Sequence, residues 1–227
     1  MCERRDTGEK GNKMASDRAA VQAVLDQVRA EGRTVLTAPE GKQVCEAYGI
    51  PVPQEGLATS APEAGRLAQE IGYPVVLKIA STDILHKTDA GGVLTGLTSA
   101  AAVEQGYNTI LANARAYKAD AHILGVQVQQ MLPAAQEVIV GAVTDPSFGK
   151  LVAFGLGGIL VEVMQDITFR LAPATRQEAV SMLDDIAGAA VLRGVRGAPG
   201  VDREALGALI ENVSRLVHDF PAIHEMD

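Results

Sequence analysis

The chain has 227 residues with 20 Lys and Arg against 28 Asp and Glu, a formal charge of -8 at pH 7, which argues against a nucleic-acid backbone as partner. Its 47% hydrophobic and 21% charged residues are ordinary for a globular protein, with enough chain for one large domain or two modest lobes. Cys2 and Cys45 are too few and too far apart for a disulfide framework or a thiolate metal site, and they read as reduced thiols. No apolar run reaches membrane length and the polar N-terminus carries no signal region, which points to the cytoplasm.

Residues 1–15 are polar and glycine-containing and read as a disordered leader, with Met14 as an alternative initiator. From Ala19, the positions Val21, Val24, Leu25 and Val28 follow helical spacing and end near Gly32. Capping-box patterns at Thr37-x-x-Glu40, Ser60-x-x-Glu63 and Thr175-x-x-Glu178 predict three more helix starts. After the second, Ala64, Leu67, Ala68 and Ile71 mark a buried face that Gly72 closes. The run Val75 to Ile79 then reads as a buried, central strand with no polar face other than Lys78. A helix is expected over 100–117 and a strand over 125–131. Strands over 137–143 and 151–154 flank the turn Asp145-Pro146-Ser147-Phe148-Gly149. Helices over 176–192 and 203–217 follow, the second with Leu206, Leu209, Ile210, Val213 and Leu216 on one face. The division expected is a helical segment over 16–50, one α/β lobe over 51–131 and a second over 132–227, with a ligand cleft where they meet.

The chemistry concentrates at Lys78 and the turn after it, Leu85-His86-Lys87-Thr88-Asp89-Ala90-Gly91-Gly92-Val93. A strand lysine beside an amide-rich turn can neutralise and cradle phosphate oxygens. A buried lysine with no anionic partner tends to lose its charge, so a bound phosphate suits Lys78 better than the bland alternative of a stem that snorkels to solvent. A histidine at that mouth can accept a phosphoryl group. These residues together point to nucleotide-dependent phosphoryl transfer.

Several segments in order carry a resemblance: Glu31-Gly32-Arg33, Tyr48-Gly49-Ile50-Pro51-Val52, Gly72-Tyr73-Pro74-Val75-Val76-Leu77-Lys78, and His86 to Val93. Downstream come Glu137-Val138-Ile139-Val140-Gly141, the Asp145 to Gly149 turn, Phe154-Gly155-Leu156-Gly157-Gly158 and Leu192-Arg193-Gly194-Val195-Arg196-Gly197. Over about residues 16–227 the chain resembles the ATP-grasp domain, β-subunit type, of the ADP-forming acyl-CoA synthetases such as ADP-forming acetate-CoA ligase. The resemblance implies an α/β ATP-grasp fold of two lobes with the nucleotide cleft between them. It implies ATP or ADP with Mg²⁺ as cofactors, and a CoA-binding α subunit or domain as partner. Lys78 and Lys87 would meet the phosphates, and Gly91-Gly92 would be the mobile loop over them. Gln130, Met131 and Leu132 would contact adenine, and Glu137 would lie near the ribose. His86 would receive a phosphoryl group from a phosphohistidine on the partner. The reaction implied is acyl-CoA, phosphate and ADP going reversibly to acid, CoA and ATP through an acyl phosphate, an acid-thiol ligase activity expected only with the α partner. The family pattern Glu-x-Asp-x-Asn-Pro is represented by Glu225-Met226-Asp227, which leaves Asp227 as the Mg²⁺ candidate.

Other residues have plainer readings. His122, His218 and His224 lack cationic surroundings and read as structural or surface groups. A lone loop histidine is ordinarily solvated, and only the neighbours Lys78, Lys87, Gly91 and Gly92 lift His86 above that. Gly155-x-Gly157-Gly158 is a tight turn or a close approach to phosphate or partner, and no dinucleotide fingerprint follows it. Glu162, Asp166 and Arg170 either line a cleft or decorate strand edges, and Arg193 and Arg196 either complement a helix dipole or face an interface. Two rival functions remain open: a carboxylate-amine ligase or carboxylase of the same fold, in which His86 is dispensable, and a non-catalytic regulatory or scaffold domain.

Overall fold

A computed structural model describes residues 16–81, 83–84, 86–157, 166–195 and 199–227. The leader and the expectations for Gly158, Glu162, Arg196 and Gly197 lie outside the described residues. The chain divides into two units, one formed by residues 53–134 and one formed by the segments before and after it.

The unit of residues 53–134 runs β1 (Glu55–Ala58), α1 (Ala61–Ile71), β2 (Val75–Ser81), β3 (Val93–Leu97), α2 (Ala100–Tyr117) and β4 (Ile123–Gln130). Its four strands form an antiparallel sheet in the order β1-β4-β2-β3. Both helices pack on one face, over Val75, Leu77, Ile79, Val126 and Val128. Ser60 caps α1 by accepting the Glu63 amide at 3.4 Å. The Glu63 carboxylate, however, reaches one residue further back than the capping-box pattern predicts. It takes the Thr59 amide at 2.7 Å and the Thr59 hydroxyl at 2.8 Å. Gly106 lets α2 lie close on the sheet, because a β-carbon there would meet Leu77 at 3.1 Å and Leu94 at 3.2 Å.

The other unit begins with α3 (Arg18–Ala30) and α4 (Ala38–Ala47), which precede residue 53 in the chain. Beyond residue 135 come β5 (Val138–Asp145), β6 (Gly149–Leu156), β7 (Ile167–Leu171), α5 (Arg176–Asp185), α6 (Ala189–Leu192), α7 (Arg203–Asp219) and β8 (Glu225–Met226). The sheet is antiparallel in the order β7-β6-β5-β8. Val152, Phe154 and Leu156 of β6 share a core with Met182, Leu183, Ile210, Val213 and Leu216 of the helices and with Val21, Val44, Tyr48 and Ile50 from the N-terminal segment. Asp219 joins the N-terminal segment to α7, accepting the Tyr48 hydroxyl at 2.7 Å and pairing with Arg18 at 2.7 Å.

The single helix expected over 176–192 is two helices. The break lies between Asp185 and Ala189, where Asp166 accepts the amides of Ala187 and Gly188, each at 2.7 Å. Gly188 also sits against Leu156, where a β-carbon would come within 2.4 Å.

Candidate functional site

On β2, Val75, Leu77 and Ile79 are buried against the helices, which turns Val76 and Lys78 to the opposite face, where both are half-buried. The expectation of a strand without a polar face is therefore corrected. The strand is central in its sheet, but α1 and α2 both pack on one face, and period-2 alternation places Lys78 on the other. β4 alternates in the same way, with Val126 and Val128 buried and Gln127 and Gln129 half-buried. The register sets Lys78 opposite Gln127, and Gln129 opposite both Val76 on β2 and Glu55 on β1. Lys78 Nζ donates to Gln129 Oε1 at 2.6 Å, and Gln129 Nε2 donates to Glu55 Oε2 at 2.8 Å. Among the described residues Lys78 makes no ion pair.

The segment leaving β2 is fastened before it reaches His86. Asp83 accepts the His122 amide at 2.5 Å and pairs with Lys118 at 3.7 Å. The His122 amide, more than Lys118, holds the Asp83 carboxyl below its ordinary range. His86 is exposed and Lys87 half-buried. The turn closes on itself, with Ala90 N donating to His86 O at 3.3 Å, Gly91 N to Thr88 O at 3.0 Å and Gly92 N to Lys87 O at 2.8 Å. Two further bonds pin it: Ile79 N donates to Gly92 O at 2.8 Å, and Asn113 Nδ2 donates to Gly91 O at 2.9 Å. The glycine pair has a local cause. Gly91 has φ of 58°, and a β-carbon on Gly92 would stand 2.5 Å from Ile79. In this structure the N–H groups of Ala90, Gly91 and Gly92 bond carbonyls of their own turn.

At the end of β4, Gln130 N donates to Gln54 O at 2.8 Å and Met131 N to Pro74 O at 3.1 Å. Leu132 is 56% exposed, and among the described residues its backbone makes no hydrogen bond. In the other unit Glu137 is exposed, and its carbonyl accepts Gly157 N at 2.8 Å. β8 pairs with β5, Met226 opposite Ala142 and Glu225 opposite Val143. Met226 packs on the core, so alternation turns Glu225 and Asp227 to the other face. Among the described residues no three His, Cys, Asp or Glu side chains cluster as a ready metal site. The hard oxygen donors of Glu225 and Asp227 fit a Mg²⁺ that takes most of its ligands from phosphates and water.

Asp166, Arg170 and Arg193 each have local partners. Asp166 bonds two amides at the break between α5 and α6. Arg170 bonds Ser181 at 3.2 Å and pairs with Asp185, tying β7 to α5. Arg193 pairs with Asp184 at 2.9 Å, and Arg203 shares that carboxylate. His122, His218 and His224 are exposed. Gln129 and Glu55 were missed, although the alternation Val126-Gln127-Val128-Gln129 is itself the signature of a sheet with one polar face.

A family model described as "ATP-grasp domain" matches residues 27–227. Subunit β of acetate–CoA ligase [ADP-forming] I from Pyrococcus furiosus is 44% identical over 92% of this chain and 90% of its own. A dinucleotide-forming acetyl-coenzyme A synthetase 1 from Ca. Korarchaeum cryptofilum, solved with coenzyme A, Ca-AMPCP and HgCl+, superposes with a TM-score of 0.82 at 39% identity, covering 90% of this chain and 89% of that one. The same synthetase with coenzyme A and Mg-AMPPCP, its phosphohistidine segment pointing towards the nucleotide binding site, superposes with a TM-score of 0.73 at 38% identity, covering 85% and 83%.

Proposed function

The chain belongs to the ATP-grasp domain family, and from that premise we propose that it is the nucleotide-binding β subunit of an ADP-forming acyl-CoA ligase. The observation that carries this reading is the near end-to-end match, at 44% identity, to a complete β subunit of such an enzyme. The substrates are ADP or ATP, and the partner is a CoA-binding α subunit that supplies a phosphohistidine. Lys78 stands on the face of its sheet opposite α1 and α2, and among the described residues no carboxylate pairs with it, the setting a phosphate anchor needs. Lys87 joins it, Gly91 and Gly92 form the loop over the phosphates, and the backbone of Gln130, Met131 and Leu132 takes adenine. Glu137 takes the ribose. Asp227 would hold Mg²⁺, which would supply charge to offset the phosphates.

His86 is the relay. Its unprotonated ring nitrogen bonds to phosphorus as the N–P bond of the partner's phosphohistidine breaks. A terminal oxygen of ADP then bonds to that phosphorus as the His86 N–P bond breaks, giving ATP and a free imidazole. Lys78 offsets the charge on the oxygens around phosphorus. Two features suit His86 to this exchange: it is exposed, and Asp83 anchors the segment that carries it. His86→Ala leaves ADP affinity within about twofold, because the ring takes no part in holding nucleotide, and abolishes phosphoryl exchange with the α partner. Retained turnover in the reconstituted complex overturns the assignment.

A further inference from the structure

We propose that Gln129, locked in one orientation by Glu55, is the positioning residue of Lys78, an inference that rests on the reading of Lys78 as a phosphate anchor. The three side chains form a directed chain across β1, β4 and β2, with the 2.8 Å bond from Gln129 Nε2 to Glu55 Oε2 at one end and the 2.6 Å bond from Lys78 Nζ to Gln129 Oε1 at the other. The direction is fixed by chemistry. Glu55 as a carboxylate only accepts and Lys78 as an ammonium only donates, so the amide must turn its NH₂ to Glu55 and its oxygen to Lys78. A flipped amide would set oxygen against carboxylate and NH₂ against ammonium.

Two consequences bear on phosphate binding. Lysine has a long stem with many rotamers, and one strong bond to a sheet residue settles its position before a ligand arrives. That bond uses one of three ammonium hydrogens and leaves two for phosphate oxygens. The neutral amide also separates Lys78 from the Glu55 carboxylate. A carboxylate in the place of Gln129 would pair with Lys78 directly and compete with the incoming anion. The register supports the arrangement, since Gln129 lies opposite Glu55 and one same-face step from Gln127, the residue opposite Lys78.

The test compares dissociation constants for ADP and for adenosine, with Mg²⁺, in the full chain and in Lys78→Met, Gln129→Leu and Gln129→Glu. Adenosine lacks the phosphates, so a general structural defect weakens both ligands and a phosphate-site defect weakens only ADP. Gln129→Leu should weaken ADP roughly three- to tenfold, and Gln129→Glu more than about tenfold, with adenosine unchanged within about twofold. In the Lys78→Met background Gln129→Glu should add nothing further, since its effect passes through the lysine. Unchanged ADP binding in both Gln129 variants overturns the proposal while a weakened Lys78→Met leaves the anchor reading intact. Equal loss of ADP and adenosine also overturns it, in favour of a purely structural Gln129. Unaltered ADP binding in Lys78→Met, or none in the wild-type chain, overturns the anchor reading and the proposal together.

Discussion

Glu40 shows how much one carboxylate can organise. Arg33 grips it bidentately at 2.6 Å and 3.0 Å, and its Oε2 also takes the Thr37 amide at 2.7 Å where α4 begins. Arg33 also pairs with Glu31 at 2.6 Å, so the loop after α3 is strapped to the start of α4. The Arg33 bond first and the Thr37 amide second hold the Glu40 carboxyl down to about 2, and Arg33 lowers Glu31 as well. A carboxyl lowered on folding stabilises the native state fully above its unfolded value, near 4.5, and progressively less as pH falls towards 2. The melting temperature of Glu40→Gln should therefore lie below that of wild type at pH 7. The gap should narrow from about pH 4.5 downward and close near pH 2. Thermal melts across that range check it, and a gap that stays constant with pH removes the ion pair as its cause.

At the scale of elements, α7 is fixed at one buried polar point. Ser214 is fully buried, and its hydroxyl accepts the Ala174 amide at 2.6 Å just before the Thr175 cap of α5. Ser214→Ala leaves that amide without a partner inside the core and should cost about 1–3 kcal/mol in urea unfolding, whereas a change under about 0.5 kcal/mol would mean that the amide finds another acceptor. This bond was invisible in the sequence, because Ser214 falls on the buried face of a helix pattern and nothing marks its distant partner. What was legible had strong local signals. The helical spacing of Val21, Val24, Leu25 and Val28 and the cap Thr175 with Glu178 lie where expected. Strands β1, β3 and β8 went unread because they are short and mostly lean on neighbours, Glu55-Gly56-Leu57-Ala58 having little strand character of its own. β7 alternates plainly over Ile167-Thr168-Phe169-Arg170-Leu171 and was simply overlooked. Lys78 and His86 stood out by residue type and neighbourhood. Gln129 did not, since an amide gains its meaning only from the register that sets it between Glu55 and Lys78.

For the whole molecule, the two units differ in how the chain builds them, and that difference predicts which survives alone. Residues 53–134 form a continuous stretch with its own four-stranded sheet, both covering helices and the core of Leu77, Ile79, Val103, Ile110, Val126 and Val128. The other unit is discontinuous, and its core takes Val21, Val44, Tyr48 and Ile50 from the segment preceding residue 53. These four side chains are between 0% and 7% exposed. At about 1.5–3 kcal/mol for each buried side chain, their loss amounts to roughly 6–12 kcal/mol. That equals most of the ~5–15 kcal/mol that holds an ordinary domain together. A peptide of residues 53–134 should therefore give a dispersed amide spectrum and a cooperative melt, at a lower temperature than the full chain because small domains bury less of their surface. A peptide of residues 135–227 should show neither until a peptide of residues 16–52 is added, when both should appear. Cooperative melting of residues 135–227 without that addition would mean the N-terminal helices cover a core that already stands by itself.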